Sequence, residues 1–236
     1  MGRAFEFRKE RKFKRWAAMS KTFTRIGKEI AMSVKAGGPD PDSNARLRAI
    51  IQNAKTANMP KATVDAAIKR ATDKDASNFD EVAYEGYGPF GVAILIETAT
   101  DNTTRTVANI RSFFNKFSGT LGTQGSLDFV FERQGHFTIK NTGKINVEEL
   151  EFELIDSGLA EIEADDEEIF ISTKFVDFGS MQKKLEEKGF EILSAEKVRE
   201  ALSHKEVTEE QRETINKLVE KFEEDDDVQQ VFTNMS

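Results

Sequence analysis

The sequence predicts an α+β protein: an N-terminal helical bundle followed by two α/β-sandwich domains, one a ferredoxin-like βαββαβ insertion in the other. Three observations carry this. Apolar residues recur at spacings of three and four through the first third of the chain. After a polar break the period shortens to two, and β-rich runs alternate with helical ones. The C-terminal stretch holds one helix and one strand, which cannot bury their apolar faces alone.

In chain order, Phe13, Trp16, Ser20, Phe23, Gly27, Ile30 and Val34 form one stripe of a long helix, which Gly37-Gly38-Pro39 ends. A second helix is expected over Asn44 to Ala57, with Asp42 or Ser43 as its N-cap and Leu47, Ile50, Ile51 and Ala54 inward. Pro60 opens a third, with Val64, Ala67, Ile68 and Ala71 apolar. The tip, Met1 to about Lys12, has few apolar partners and is expected to order on binding. DKDASNFD, from Asp73, reads as a linker.

Strands are then expected at Val82–Tyr87, Val92–Thr98 and Leu127–Glu132, with a helix from Asn102 to about Phe117. The order strand (Phe137–Lys140), helix (Val147–Asp156), strand (Leu159–Glu163), strand (Glu168–Thr173), helix (Ser180–Lys188), strand (Glu191–Lys197) makes a ferredoxin-like unit. A helix from about Glu209 to Phe222 and a strand at Val228–Phe232 close the chain. Returning them to the sheet begun at Val82 gives that sheet its second helix. The expected domains are therefore 1–76, a discontinuous 77–134 with 203–236, and an inserted 135–202.

Composition bounds the function. Of 236 residues none is Cys, which excludes disulfides, thiolate zinc sites and cysteine nucleophiles. No apolar run reaches the roughly 18 residues that span a bilayer, and a secretory h-region is missing, so a soluble protein without a membrane partner is expected. The net charge of −8 conceals a division. Residues 1–72 hold 17 Lys and Arg against six Asp and Glu; the remainder holds 17 against 36. Phe7 to Trp16, FRKERKFKRW, carries six bases, one acid and three aromatics. Such asymmetry points to a polyanion at the basic end, with the acidic remainder orienting it.

Catalytic motifs are missing. Gly86-Tyr87-Gly88-Pro89-Phe90-Gly91 matches G-x-G-x-x-G, but it leads into the strand VAILIE, whereas dinucleotide binding needs a helix there. It reads as a strand-to-strand turn, with Tyr84, Tyr87 and Phe90 as core packing or a stacking surface. Arg105, in the first turn of a helix, opposes the helix dipole and calls for an acidic neighbour or an anionic ligand. His136 and His204 lack metal-ligand spacing. The acid runs Asp165–Glu168 and Glu223–Asp227 lack calcium-loop spacing and read as solvated turns. With no Walker loop, nucleophile elbow or paired carboxylates, neither an enzyme, nor a cofactor, a metal or a small-molecule substrate is expected.

GGPDPDSNARLRAIIQNAKTANMPKATVDAAIKRA, YEGYGPFGVAILIE, TDNTTRT, GTLGTQGSLDFVFERQG and DDDVQQVFTN together resemble the YebC/PmpR family, to which the mitochondrial translational activator of cytochrome oxidase also belongs. The chain departs from it at the start, where many members begin GHSKW, and at Phe90, where GYGPGG has Gly. The resemblance implies three domains of the arrangement above and a cytoplasmic, non-enzymatic regulator of gene expression. Some members are described as binding promoter DNA; others act in translation on ribosomes.

The residues expected to neutralise phosphate are Arg8, Lys9, Arg11, Lys12, Lys14 and Arg15, then Lys21, Arg25 and Lys28, then Arg46, Arg48, Lys55, Lys69 and Arg70. Tyr84, Tyr87 and Arg105 are secondary candidates. Three functions fit: a DNA-binding transcriptional regulator; a ribosome-associated, RNA-binding translation factor that relieves stalling; and a protein-interaction adaptor using the acidic insertion. The residues alone favour ribosomal RNA, since no turn spacing specifies helix-turn-helix and no dimer seam is evident.

Overall fold

A computed structural model describes the backbone of residues 3–73 and 78–236, and the side chains of 19–73 and 78–236. Three helices come first: α1 (Arg3–Gly37), α2 (Ala45–Thr56) and α3 (Lys61–Ala71). Their core joins Ile26, Ile30 and Val34 of α1 to Leu47, Ile50, Val64 and Ala67, the positions their spacing marks as inward. Asn44, not Asp42 or Ser43, caps α2: its buried side chain accepts from the Leu47 N–H and donates to the Ser33 and Gly38 carbonyls. A neutral amide can serve both ends of the α1–α2 turn at once, which a carboxylate or hydroxyl cannot.

The first sheet contains β1 (Asp80–Tyr87), β2 (Ala93–Thr100), β3 (Thr120–Leu121) and β8 (Val228–Thr233), in the order β3-β1-β2-β8. Helices α4 (Thr103–Lys116) and α7 (Glu209–Glu223) cover one face through Ile110, Phe114, Ile215, Leu218 and Phe222. The tail strand thus joins β2, and α7 supplies the second covering helix. Leu127–Glu132 is not a strand of this sheet. Residues 125–130 form turns held by buried Glu85, which accepts from the Gly125 and Leu127 N–H groups at 2.9 and 2.7 Å. Leu127, Val130 and Phe131 then cover the other face, over Ala93 and Leu95. Hydrophobic runs of strand and of such a plug look alike in sequence.

The second sheet has the order β5-β6-β4-β7, built from β4 (Phe131–Lys140), β5 (Leu159–Ala164), β6 (Glu168–Lys174) and β7 (Ile192–Ala201), with α5 (Val147–Leu154) and α6 (Phe178–Glu187) on one face. This is the antiparallel ferredoxin-like arrangement. Strands β4 and β7 extend well beyond their expected ends and reach toward the first sheet. Edge strand β7 is covered by α2. Asn53 exchanges two hydrogen bonds with the Ala195 backbone, 2.8 and 2.9 Å, while Gln52 and Thr56 donate to the Ile192 and Leu193 carbonyls. An edge so covered cannot pair with another chain.

The GYGPFG loop is a strand-to-strand turn in which Pro89–Gly91 make one 3₁₀ turn and Phe90 sits at φ 62°. That left-handed region suits Gly and costs another residue about 1–2 kcal/mol. Phe90 is 47 % exposed and so regains little by burial. Phe90→Gly is expected to stabilise by about 0.5–1 kcal/mol, after its larger unfolded-state entropy. A denaturant midpoint that falls in this variant would show the ring to be packed rather than strained.

Candidate nucleic-acid interface

The cations of the helical layer divide into two groups. The first faces inward. Lys28 Nζ, on α1, donates to the Ala99 and Asp226 carbonyls at 3.0 and 2.8 Å and to Asp227 Oδ1 at 2.8 Å. Arg25, three residues earlier and thus on the same helix face, donates to the Glu223 carbonyl at 3.0 Å. Arg46 pairs with Glu81. Arg48 Nε lies 2.9 and 3.0 Å from the two Glu186 oxygens, and its Nη1 donates to the Pro41 carbonyl. These four fasten α1 and α2 to the rest of the molecule. Charge patterning shows where cations are but not which carboxylates the fold brings to them.

Asp227 is the centre of that fastening. It is 4 % exposed. Its Oδ2 accepts from Thr100 and Thr106 hydroxyls at 3.1 and 2.9 Å and from Arg105 Nη2. Burial works to raise its pKa, but hydrogen bonds from Lys28, Arg105 and Thr106 outweigh it and hold the carboxyl at about 2. Arg105 also bonds Asp101 Oδ1 at 2.9 Å, so acidic neighbours resolve its conflict with the α4 dipole. The run Glu223–Asp227 is therefore not a solvated turn throughout. Asp227 is buried, and Asp225 accepts from Asn109 at 2.9 Å. By contrast Asp165 accepts from the Glu167 and Glu168 N–H groups in the exposed β5–β6 turn, as expected.

The second group faces outward. Lys55 at the end of α2 and Lys69 and Arg70 at the end of α3 are exposed and have no carboxylate partner among the described residues. Lys61, which the sequence reading did not single out, opens α3 on the exposed side. Lys21 is half-buried, near enough to Glu224 to help lower that carboxyl's pKa after Lys221. Arg8, Lys9, Arg11, Lys12, Lys14 and Arg15 lie on α1 before Met19, where side chains are outside the described residues. Tyr84 packs at the margin of the first sheet's core, its hydroxyl 3.4 Å from the Thr103 carbonyl. Tyr87 is 40 % exposed beside Phe90.

His136 packs edge-on against Phe170, and burial lowers its pKa; no trio of His, Cys, Asp or Glu with metal-holding geometry occurs among the described residues. No helix among them is long and apolar enough to cross a membrane. Glu29, missed in the sequence, is different. It lies on α1 against the cavity bounded by α2, β1 and β7, and its pKa is raised to about 7. Burial is the main cause; Arg46 opposes it, and Glu196 and Glu81 add to it.

The structure is a helical layer with outward bases, fastened onto two antiparallel α/β sheets. The family follows from the comparisons. Residues 3–74 match the TACO1/YebC protein N-terminal domain, and residues 79–235 the TACO1/YebC second and third domain. The chain belongs to the TACO1/YebC family. It is 58 % identical over 235 residues to a protein of Parabacteroides distasonis, covering 100 % of this chain and 97 % of that one. It is 59 % identical to one of Flavobacterium johnsoniae, covering 100 % and 99 %. Both relatives bear the name probable transcriptional regulatory protein. The crystal structure of a conserved hypothetical protein from Aquifex aeolicus superposes with a TM-score of 0.78 at 35 % identity, covering 92 % of this chain and 90 % of that one.

Proposed function

We propose that this protein is a non-enzymatic, nucleic-acid-binding regulator of gene expression that holds sugar–phosphate backbone through its helical layer. The observation that carries the reading is the set of outward bases Lys55, Lys69 and Arg70, which have no carboxylate partner among the described residues and belong to an N-terminal third that holds 17 bases against six acids. The names of its relatives agree with a role in gene regulation. The three-unit division, 1–76, 77–134 with 203–236, and 135–202, suits a basic grip carried on an acidic body.

One observation favours RNA on the ribosome over promoter DNA. Among the described residues, the outward bases are Lys55 at the end of α2 and Lys69 and Arg70 at the end of α3, whereas Lys28 and Arg48 are engaged with Asp227 and Glu186. A few bases at helix ends can position a backbone but offer little base readout. Folded RNA is recognised by shape and backbone.

The test compares the full chain with a variant lacking residues 1–16 and with Lys55→Gln/Lys69→Gln/Arg70→Gln. Both variants are expected to bind structured RNA more weakly and with a shallower salt slope. If six to ten phosphate contacts form, wild-type affinity should drop about 10³- to 10⁵-fold from 50 to 200 mM salt. Co-sedimentation with ribosomes at physiological salt, without preference among DNA duplexes, supports translation. Discrimination of at least ~10³ between promoter and random duplex supports transcription instead. Salt-independent binding, unaltered in both variants, would remove the phosphate grip altogether.

A further inference from the structure

Helix α5 carries apolar residues on two sides. Leu150 and Leu154 face the core of the second sheet and are buried. Phe152 and Ile155 stand three positions apart, which makes them neighbours on the helix surface, and they face solvent at 75 % and 56 % exposure. The helical path reaches Ile155 because residues 155–157 add one 3₁₀ turn, ended by Gly158 at φ 82°. Val176, 83 % exposed, stands close to that end, since the side chain of the next residue, Asp177, fills the space where Gly158 would carry a Cβ. Single exposed apolar side chains are ordinary, but neighbouring ones rimmed by polar groups mark an interaction surface.

The surroundings decide what covers this face. Residues 147–168 hold eleven Asp and Glu and no Lys or Arg, and all eleven acids are exposed. Of these only Glu153 has an ion-pair partner among the described residues, Lys188. Glu148, Glu149 and Asp156 lie three or four positions from Phe152 and so border it directly. Such a rim repels nucleic acid and anionic membranes alike. The complementary occupant is a polypeptide segment rich in Lys and Arg that also carries large apolar side chains.

This chain itself contains a segment of that chemistry. Residues 7–16 hold six bases against one acid, with Phe7, Phe13 and Trp16 among them. Phe13 and Trp16 have the same three-residue spacing as Phe152 and Ile155. Helix α1 is continuous from Arg3 to Gly37, and Arg25 and Lys28 fix it to the Glu223 and Asp226 carbonyls. Held there, it leaves Phe152 of its own chain uncovered. A head that reaches the α5 face comes from another molecule.

We propose that the α5 face receives the first turns of α1 from a second copy of this chain, with apolar rings against Phe152 and Ile155 and bases against the carboxylates around them. Two copies that exchange heads make a closed pair with two such contacts. Each contact is small and rimmed by charge, so the pair is weak and salt-sensitive. Bases held in this way are withdrawn from phosphate, and the second copy and nucleic acid compete for one head. That competition, though not the docking, rests on the phosphate grip proposed above.

Sedimentation of the full chain tests it. At about 50 mM salt the protein is expected to pair with a Kd of ~10–100 µM, and at about 300 mM at least tenfold more weakly. Phe152→Ser/Ile155→Ser and the variant lacking residues 1–16 should each stay monomeric over the same range. The double substitution should keep the wild-type melting temperature, because both side chains are exposed. Mixed at about 0.5 mM, the two variants should associate one to one, more weakly than wild type, through the single contact left to them. One retains the head and the other the face, so a fold that was merely damaged would not give this result. Structured RNA should return the full chain to monomers. A pair that salt and both variants abolish but RNA leaves intact supports the docking and removes the head from the phosphate grip. A full chain monomeric at about 0.5 mM, a pair that survives either variant, or two variants that ignore each other overturns the proposal.

Discussion

Asp227→Asn is expected to destabilise the protein by about 3 kcal/mol, because it leaves the nearly buried Lys28 ammonium without its counter-charge. The side chain of Lys28 is 12 % exposed and that of Asp227 6 %. For a chain of this length the melting temperature should fall by about 6–12 °C. Loss should be greatest where α1 meets the first sheet, so backbone hydrogen exchange should rise around residues 25–30 before it rises in the second sheet. The Lys28→Met/Asp227→Asn double variant should recover part of the loss, since it removes both charges together. Acid should mimic the mutation. The folded pKa, about 2, lies below the ordinary 3.8, so the contribution is full above pH ~4 and disappears as pH falls through about 2. The shift corresponds to about 2 kcal/mol. Equal acid sensitivity in wild type and Asp227→Asn would mean that the hydrogen bonds at this carboxylate contribute nothing.

Glu29→Gln should act in the opposite direction. Its folded pKa is raised from 4.5 to about 7, mainly by burial. A raised carboxyl pKa means that the group adds no penalty below about pH 4.5. The penalty grows as pH rises to 7 and is complete above it. The amide imitates the protonated acid. The variant should therefore match wild type at pH 5 and be more stable at pH 8, by up to about 3 kcal/mol. Arg46 and Arg25 favour its charge, whereas Glu196 and Glu81 oppose it. Melting temperatures from pH 5 to 8 decide it. Parallel curves for the two proteins would show that Glu29 ionises as an ordinary surface acid.

Much of the architecture was legible because its signals are local. The stripe through Ile30 and Val34, the turn at Gly37-Gly38-Pro39, the Asn102 cap and the βαββαβ order all appear where short-range periodicity and turn chemistry place them. Even the return of the chain to the first sheet followed from an apolar balance that one helix and one strand could not close. Errors occurred where two structures share a local pattern. Leu127–Glu132 reads as a strand, but Leu127, Val130 and Phe131 act as a plug, and the Asn44 cap competed with two preceding residues of similar propensity.

The candidate site divides along the same line. The sequence by itself determined that positive charge is concentrated in the first 72 residues and that the chain belongs with helices followed by antiparallel sheets. Only the tertiary structure decided which cations are free. Lys28 and Asp227 are 199 positions apart, and Arg48 and Glu186 are 138 apart. No local pattern couples residues so distant. Their pairing follows from how α1, α2 and the returning tail pack, and that packing gives Arg25, Lys28, Arg46 and Arg48 internal partners while leaving Lys55, Lys69 and Arg70 exposed.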